Sequence, residues 1–127
     1  MDIPASRRVL VVDDNRESVE VLSTLLQLKG HDARIAEDGD EAIAVADSYR
    51  PHVVVLDLSL PGRDGYEIAR ELRARPYGSG LVLVALTGWT GNDVREKAAA
   101  AGFDFHLLKP VDWDNLEQVL NAAAATT

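Results

Sequence analysis

The 127-residue sequence contains no cysteine, which excludes a disulfide framework and any metal site built from thiolates. Basic residues are also scarce: 13 Lys and Arg face 21 Asp and Glu, giving a formal net charge of -8. Because a phosphate backbone is bound through Lys and Arg, we expect no direct contact with nucleic acid. No apolar run approaches the ~20 residues of a membrane-spanning helix, and no signal-peptide pattern is present. We therefore expect a soluble, cytoplasmic protein that does not act at a membrane.

Short apolar segments alternate with longer amphipathic segments along the chain. Runs typical of buried strands lie at 9–12, 33–36, 53–56, 81–86 and 103–108. Between them, apolar residues recur every three or four positions, which is the spacing of helices. Strands that alternate with helices predict a three-layer α/β domain, in which helices cover both faces of a parallel sheet. A chain of this length and 46% hydrophobic content can bury one sizeable core, so we expect a single domain over 1–127.

Polar and charged residues follow four of the five predicted strands. They are Asp13 and Asp14 after the first, Asp57 and Ser59 at the third, Thr87 after the fourth and Lys109 after the fifth. The carboxyl ends of parallel strands meet at one edge, where such sheets bind their ligands. Three carboxylates together repel one another by roughly 4 kcal/mol per pair at about 4 Å, for an effective dielectric constant of about 20. We therefore expect a hard, oxygen-ligated cation such as Mg²⁺ at this edge.

Asp57 interrupts the most apolar stretch of the sequence, VVVLDLSL. A buried charge is costly unless it is paired, coordinated or protonated. A carboxylate can also act as a nucleophile that accepts a phosphoryl group, and this reaction mainly requires positioning and charge stabilisation. A metal, an ammonium and a hydroxyl group together supply both requirements. Asp57 is thus the best candidate for a nucleophile, since its strand holds it rigidly.

Four motifs at strand ends resemble the receiver domain of response regulators from bacterial two-component systems. They are LVVDDN at 10–15, VLDLSLPGRDGYEIARELR at 55–73, ALTG at 85–88 and HLLKPVD at 106–112. Each motif alone is weak, but the four in this order are highly specific. The resemblance covers about 6–122 and implies a flavodoxin-like fold of the chemotaxis-receiver type, with strand order 2-1-3-4-5. The motifs TGW and HLLKPVD are more typical of receivers attached to hybrid histidine kinases than of DNA-binding regulators.

The resemblance also implies a phosphorylation site and its metal ligands. Asp57 would accept a phosphoryl group from a histidine kinase or a phosphotransfer protein. Asp14, Asp57 and the backbone carbonyl of Ser59 would ligate Mg²⁺ directly, and Asp13 would act through water. Such a protein is a switch that assists only its own phosphorylation and dephosphorylation, so we expect no enzyme in the usual sense.

The resemblance assigns the remaining residues to binding the phosphoryl group and to switching. Lys109 would bind the phosphoryl group or its acceptor, and Thr87 would hydrogen-bond the phosphoryl oxygen. A cis peptide is expected between Lys109 and Pro110. The switched surface would be the face formed by the last strand and its two neighbouring helices, which binds a downstream protein or an attached domain. At His106 and Gly88 the chain departs from the commoner residues of the family. How phosphorylation of Asp57 would change this face therefore stays open.

Three histidines and a tryptophan carry weaker signals. His31 and His52 look like loop residues, and His106 is more typical of a packed or exposed structural residue than of a ligand. Trp89 is a candidate anchor for a protein partner.

Two other functions fit the same architecture. A phosphatase with an aspartyl-phosphate intermediate usually has a second Asp two residues after its nucleophile, where this chain has Ser59. A flavodoxin-like electron carrier needs a loop rich in Ser, Thr or Gly after the first strand, where this chain has DDNRES. Both are therefore disfavoured.

Asp13 and Asp14 also have a simpler alternative role, which is to cap the first helix.

Overall fold

The computed structural model describes residues 7–60, 62–88 and 91–125, without the side chains of 123–125. Within these ranges it consists of five strands, five α-helices and one short 3-10 helix. The elements are β1 (Arg8–Val12), α1 (Arg16–Leu28), β2 (Asp32–Ala36), α2 (Gly39–Tyr49), β3 (Val53–Asp57), α3 (Gly65–Ala74), the 3-10 helix (Gly78–Gly80), β4 (Val82–Thr87), α4 (Asn92–Ala101), β5 (Phe105–Leu108) and α5 (Trp113–Ala125). Among the described residues, no helix combines the length and apolarity needed to cross a membrane.

The strands form one parallel sheet in the order β2-β1-β3-β4-β5, which confirms the predicted fold. From β1 the chain first adds a strand on one side and then, with β3, continues on the other. The neighbouring strands β1 and β3 are therefore the switch point of the sheet, where ligands of such folds bind. Val12 at the end of β1 pairs in register with Leu56, so the residues that follow both strands emerge side by side.

Helices cover both faces of the sheet, as the alternation of segments predicts. Side chains of successive strand residues point to opposite faces, so Leu10 and Val12 pack under α2, α3 and α4, whereas Val9 and Val11 pack under α1 and α5. All five residues of β3 are buried. The central strand that carries Asp57 is therefore held by packing from both faces and by hydrogen bonds from β1 and β4.

The last strand begins later than the sequence predicts. The apolar run at 103–108 suggested a strand from Phe103, but β5 starts at Phe105. Gly102 has a φ of 106°, and the N–H of Phe103 donates to the carbonyl of Ala98 at 3.0 Å. These are features of a helix ending in which glycine adopts the left-handed conformation. Phe103 therefore belongs to the end of α4, and its ring is buried in the core.

The start of α2 offers a small and specific test of this description. Asp38 caps the helix, since its Oδ1 accepts the N–H of Glu41 at 2.8 Å. Asp38→Ala should lower the free energy of unfolding by about 1 kcal/mol in urea denaturation. Asp40→Ala removes the same charge two residues later, from a carboxylate that is 85% exposed and paired with Arg63. This control should cost less than half as much, because exposed ion pairs contribute little; equal losses would contradict the cap.

Candidate functional site

The sheet brings the predicted site residues to one edge. Asp57 is the last residue of β3, and Asp13 directly follows the neighbouring strand β1. On the other side, Asp57 pairs in register with Leu86, so Thr87 is one residue further along β4. Lys109 follows β5, and its N–H donates to the carbonyl of Thr87 at 2.9 Å. These four residues therefore lie together at one edge of the sheet, as the sequence predicts.

One ammonium bridges two buried carboxylates at the centre of the site. Lys109 Nζ lies 2.7 Å from Asp57 Oδ2 and 3.0 Å from Asp13 Oδ2. The side chains of Asp57 and Asp13 are only 3% and 5% exposed, and that of Lys109 is 33% exposed. A single positive charge is therefore paired with two carboxylates that are almost inaccessible to water.

Two backbone N–H groups hold the other oxygens of these carboxylates. The N–H of Asn15 donates to Asp13 Oδ1 at 3.0 Å, and the N–H of Ser59 donates to Asp57 Oδ1 at 2.9 Å. Each donor lies two residues after its acceptor, which is the local turn that Asp side chains favour. The sequence reasoning missed both donors, although an Asp at a strand end before a polar residue is a signal for this turn.

The start of α1 excludes the simpler role for the acidic pair. Asn15 is the residue that caps this helix, with its Oδ1 accepting the N–H of Ser18 at 3.1 Å. Asp13 instead points at Lys109, and Asp14 is exposed beside it. The alternative that Asp13 and Asp14 cap the first helix is therefore wrong.

The start of α3 packs against the end of β3 and fixes its position. Gly65 packs so tightly against the strand end that an added Cβ would lie 2.8 Å from Leu58 Cα and 3.1 Å from the carbonyl oxygen of Asp57. Only glycine allows this approach. Asp64 caps the helix through the N–H of Tyr66 at 2.9 Å. The backbone that carries the Asp57 carboxylate is thus confined on this side as well.

Burial and the neighbouring groups of the site shift the pKa values of Asp57, Asp13 and Lys109. Burial raises the pKa of the Asp57 carboxyl, and hydrogen bonds from Lys109 and Ser59 offset only part of this effect. Burial also acts on Asp13, but the Asn15 N–H and the Lys109 ammonium outweigh it and lower the pKa of that carboxyl. For Lys109, burial is outweighed by the two carboxylates, so its pKa is raised and it stays charged near pH 7.

The remaining charge of the cluster fits a divalent cation. Asp13, Asp14 and Asp57 each offer a carboxylate oxygen, and these oxygens lie within 4.8 Å of one another. Three carboxylates beside one ammonium leave an excess of negative charge. Carboxylate oxygens are the hard ligands that Mg²⁺ prefers, and a partly exposed set such as this one leaves room for bound water. The donor chemistry of these residues therefore suits the expected ion.

The residues connected with switching lie on β4 and β5 or directly after β4. Thr87 is buried at the end of β4, and the exposed Gly88 follows it, with open space where a Cβ would be. His106 is half-buried on β5, and its Nε2 has no hydrogen-bond partner among the described residues. Burial lowers the pKa of this imidazole, and the charge of Arg95 contributes. Trp89 lies outside the described residues.

A cavity of about 420 Å³ opens beside this histidine. It lies between α4, β5 and α5, and its lining includes Arg95, His106, Asn115 and Gln118.

The peptide bond between Lys109 and Pro110 is cis, as the resemblance implies.

A comparison with protein families identifies the family to which this fold belongs. Residues 9–121 match the family described as response regulator receiver domain. The chain belongs to this family. Receiver domains are the phosphoacceptor modules of two-component signalling, and this is the functional class of the chain. In general they are signal transducers rather than catalysts. The comparisons give no support to a phosphatase or to an electron carrier.

Several known proteins are similar to this receiver. The virulence sensor protein BvgS of Bordetella bronchiseptica is 38% identical over 94% of the chain, which spans only 10% of that protein. The DNA-binding response regulator MtrA of Mycolicibacterium paratuberculosis is 36% identical over 82% of the chain and 45% of its own length. The structure of the chemotaxis protein CheY4 of Vibrio cholerae matches with a TM-score of 0.89 and 28% identity, over 94% of this chain and 99% of that one.

Proposed function

We propose that Asp57 is the residue of this receiver that accepts the phosphoryl group. The observation that carries the proposal is its setting: the carboxylate ends a wholly buried strand, yet it faces Lys109 and the other acids rather than the core. A carboxylate placed for structure alone gains nothing from two like charges nearby, since each raises the cost of its ionisation. A carboxylate that must receive a phosphoryl group benefits from the cationic partners that this cluster attracts.

The proposed transfer needs a donor and no other reactant. An oxygen of the Asp57 carboxylate attacks the phosphorus of a phosphohistidine on a sensor kinase or a phosphotransfer protein. An O–P bond forms as the P–N bond breaks, and the electron pair of that bond stays on the donor imidazole. Lys109 lies close enough to neutralise a phosphoryl oxygen, and Thr87 offers a hydroxyl at the neighbouring strand end.

We assign the metal ligands as the resemblance implies. Asp14, Asp57 and the backbone carbonyl of Ser59 would hold Mg²⁺ directly, and Asp13 would contact it through water. When bound, the ion supplies positive charge at the phosphoryl oxygens. Ser59 is exposed beside Asp57, and the hydrogen bond from its N–H to that carboxylate holds its backbone next to the acidic cluster.

The output of this receiver is proposed to be a protein contact. Phosphorylation replaces the single negative charge of the Asp57 carboxylate by a phosphoryl group with about two, which favours movement of Thr87 and Lys109 toward the phosphoryl group. We expect this to change the face of α4, β5 and α5, where the cavity at His106 lies, and so the affinity for a downstream partner or an attached domain. The receiver would have no turnover of its own beyond its phosphorylation and dephosphorylation, and no direct contact with nucleic acid or membranes.

The setting in the cell is part of the same proposal. We place this receiver in the cytoplasm, as one domain over 1–127 that works with a sensor histidine kinase or a phosphotransfer protein. The 38% identity to a segment of the virulence sensor protein BvgS is the observation that fits attachment to a sensor protein.

The acceptor can be tested with a small phosphodonor. Incubation with acetyl phosphate and Mg²⁺ should add one phosphoryl group to the intact protein, with acetate leaving, as measured by mass spectrometry. Asp57→Asn should take up none. The matched control is Asp93→Asn, which removes an exposed carboxylate from the first turn of α4 and should be phosphorylated as the wild type is. Uptake that persists in Asp57→Asn would place the acceptor elsewhere, and no uptake from acetyl phosphate or from several kinases would refute the proposal.

A further inference from the structure

Two histidines hold the start of β1, at the end of the sheet opposite the phosphorylation site. His31 directly precedes β2 and His52 directly precedes β3, so they flank β1 on both sides. The N–H of Arg7 donates to His31 Nδ1 at 3.2 Å, and the N–H of Arg8 donates to His52 Nδ1 at 2.9 Å. From the sequence alone, both histidines look like loop residues without a role.

These imidazoles continue the hydrogen-bond pattern of the sheet beyond its last backbone pairs. Next to them, the N–H of Asp32 donates to the carbonyl of Arg7 at 2.9 Å, and the N–H of His52 donates to the carbonyl of Arg8 at 2.8 Å. For the N–H groups of Arg7 and Arg8, a ring nitrogen is the acceptor in the place that a carbonyl takes further along the sheet. An unpaired backbone N–H at such a half-buried position is costly, which gives both rings a structural task.

The arrangement works only while both rings are neutral. A neutral imidazole has one N–H and one acceptor nitrogen, and here Nδ1 must be the acceptor. A proton added at Nδ1 would make it a donor that faces the N–H it now accepts. Two donors then face each other, and the hydrogen bond is lost.

The charged groups around the rings also oppose protonation. Burial lowers the pKa of His31, and the charge of Arg7 adds to this, whereas Glu117 of α5 acts in the opposite direction. Burial likewise lowers the pKa of His52, with contributions from Arg8 and Arg7. Because these folded-state values lie below the ordinary ~6.5, the stabilisation is complete above that pH and is lost as pH falls through the folded values.

We propose that His31 and His52 are an acid-sensitive fastening of the start of β1, which pairs the backbone N–H groups of residues 7 and 8 at neutral pH and releases these two N–H groups on acidification. The release is local. Residues 9–12 keep their backbone ladders with β2 and β3 on both sides, and Asp13 lies beyond them at the other end of the strand. The fastening is therefore independent of the proposed phosphoacceptor function and adds a separate response to pH at the start of β1.

The test is amide hydrogen exchange measured by NMR from pH 7.5 down through the pH at which both rings titrate, with rates corrected for the pH dependence of the unprotected amide. Protection of the amides of residues 7 and 8 should fall about tenfold across the titration of the two rings, while residues 9–12 stay protected. Nitrogen chemical shifts of the rings should show Nδ1 without a proton at pH 7.5. His31→Asn combined with His52→Asn keeps an acceptor oxygen near the position of Nδ1 and cannot be protonated in this range. Protection at 7 and 8 should then no longer depend on pH.

His106→Asn is the matched control, because this third imidazole lies on β5 and makes no contact with β1 among the hydrogen bonds of the described residues. It should leave the pH dependence at residues 7 and 8 as in the wild type. The proposal is overturned if Nδ1 of either ring carries a proton at pH 7.5, or if protection at 7 and 8 is unchanged when the rings titrate. Loss of the pH dependence in the control would overturn it as well.

Discussion

Lys109→Met should lower the free energy of unfolding by about 3 kcal/mol when Mg²⁺ is removed by a chelator. In the wild type the ammonium lies within 3.0 Å of both Asp13 Oδ2 and Asp57 Oδ2. Methionine keeps most of the side-chain volume but leaves two carboxylates, each at most 5% exposed, without their cation. Removing one partner of a buried ion pair costs about 3 to 5 kcal/mol, and the lower end applies because Lys109 is one-third exposed.

The same variant also tests the metal site. If Asp13, Asp14 and Asp57 hold Mg²⁺, the ion binds the folded chain and not the unfolded one, so millimolar Mg²⁺ should restore part of the lost stability. Urea denaturation with chelator and with Mg²⁺ measures both effects. Lys97→Met removes an exposed lysine of α4 and should change stability by less than about 0.5 kcal/mol in either condition. A Lys109→Met protein as stable as the wild type in chelator would show that the ammonium does not offset the carboxylates.

The convergence at this site could be predicted because it follows from the sheet alone. Once the periodicity predicts parallel strands, residues after each strand must meet at one edge, whatever the helices do in detail. Asp13, Asp57, Thr87 and Lys109 are placed by register, and register follows from burial of the alternating side chains. The strand order also came from the sequence, but through the resemblance of four motifs rather than from periodicity.

The contacts that could not be predicted are those in which a side chain reaches a backbone group far away in the sequence. His31 and His52 accept N–H groups from residues 24 and 44 positions distant. Arg73 donates to a carbonyl 29 positions away. No period or spacing encodes such pairs, because they depend on where two loops come to rest after the sheet and helices have packed. The prediction that the last strand starts at Phe103 is wrong for a related reason, because an apolar residue suits the end of a helix as well as a strand.

Arg73 ties together four segments at the end of the domain that is remote from the proposed phosphorylation site. Near the end of α3, its Nε and Nη2 donate to the carbonyl of Gly102 at 2.9 and 2.6 Å. Its Nη1 donates to the carbonyl of Gly78 at 2.8 Å and to that of Leu81. Nη2 also pairs with Asp104 Oδ2 at 2.6 Å. The guanidinium thus joins α3, the 3-10 helix, the start of β4 and the turn between α4 and β5.

Removing this group leaves several acceptors without a donor at once. The carbonyls of Gly78, Leu81 and Gly102 would each lose a charged donor, and Asp104 would keep only the N–H of Leu83, at 2.9 Å. A hydrogen bond to a charged group contributes about 1.5 to 3 kcal/mol, and losses within one network do not add fully. The 23% exposure of the Arg73 side chain lets water replace part of what is lost. The net cost should therefore be near the sum of two such bonds, about 4 kcal/mol.

Arg73→Met should accordingly lower the free energy of unfolding by about 4 kcal/mol in urea denaturation. Arg73→Lys should recover less than half of this loss, because an ammonium keeps the charge but cannot donate in several fixed directions as the planar guanidinium does. Arg75→Met is the matched control: its Nη2 lies 3.3 Å from an oxygen of Asp47, in a pair with 38% and 46% exposed side chains, and it should cost less than about 1 kcal/mol. If Arg73→Met cost no more than Arg75→Met, the four segments would be held by apolar packing alone.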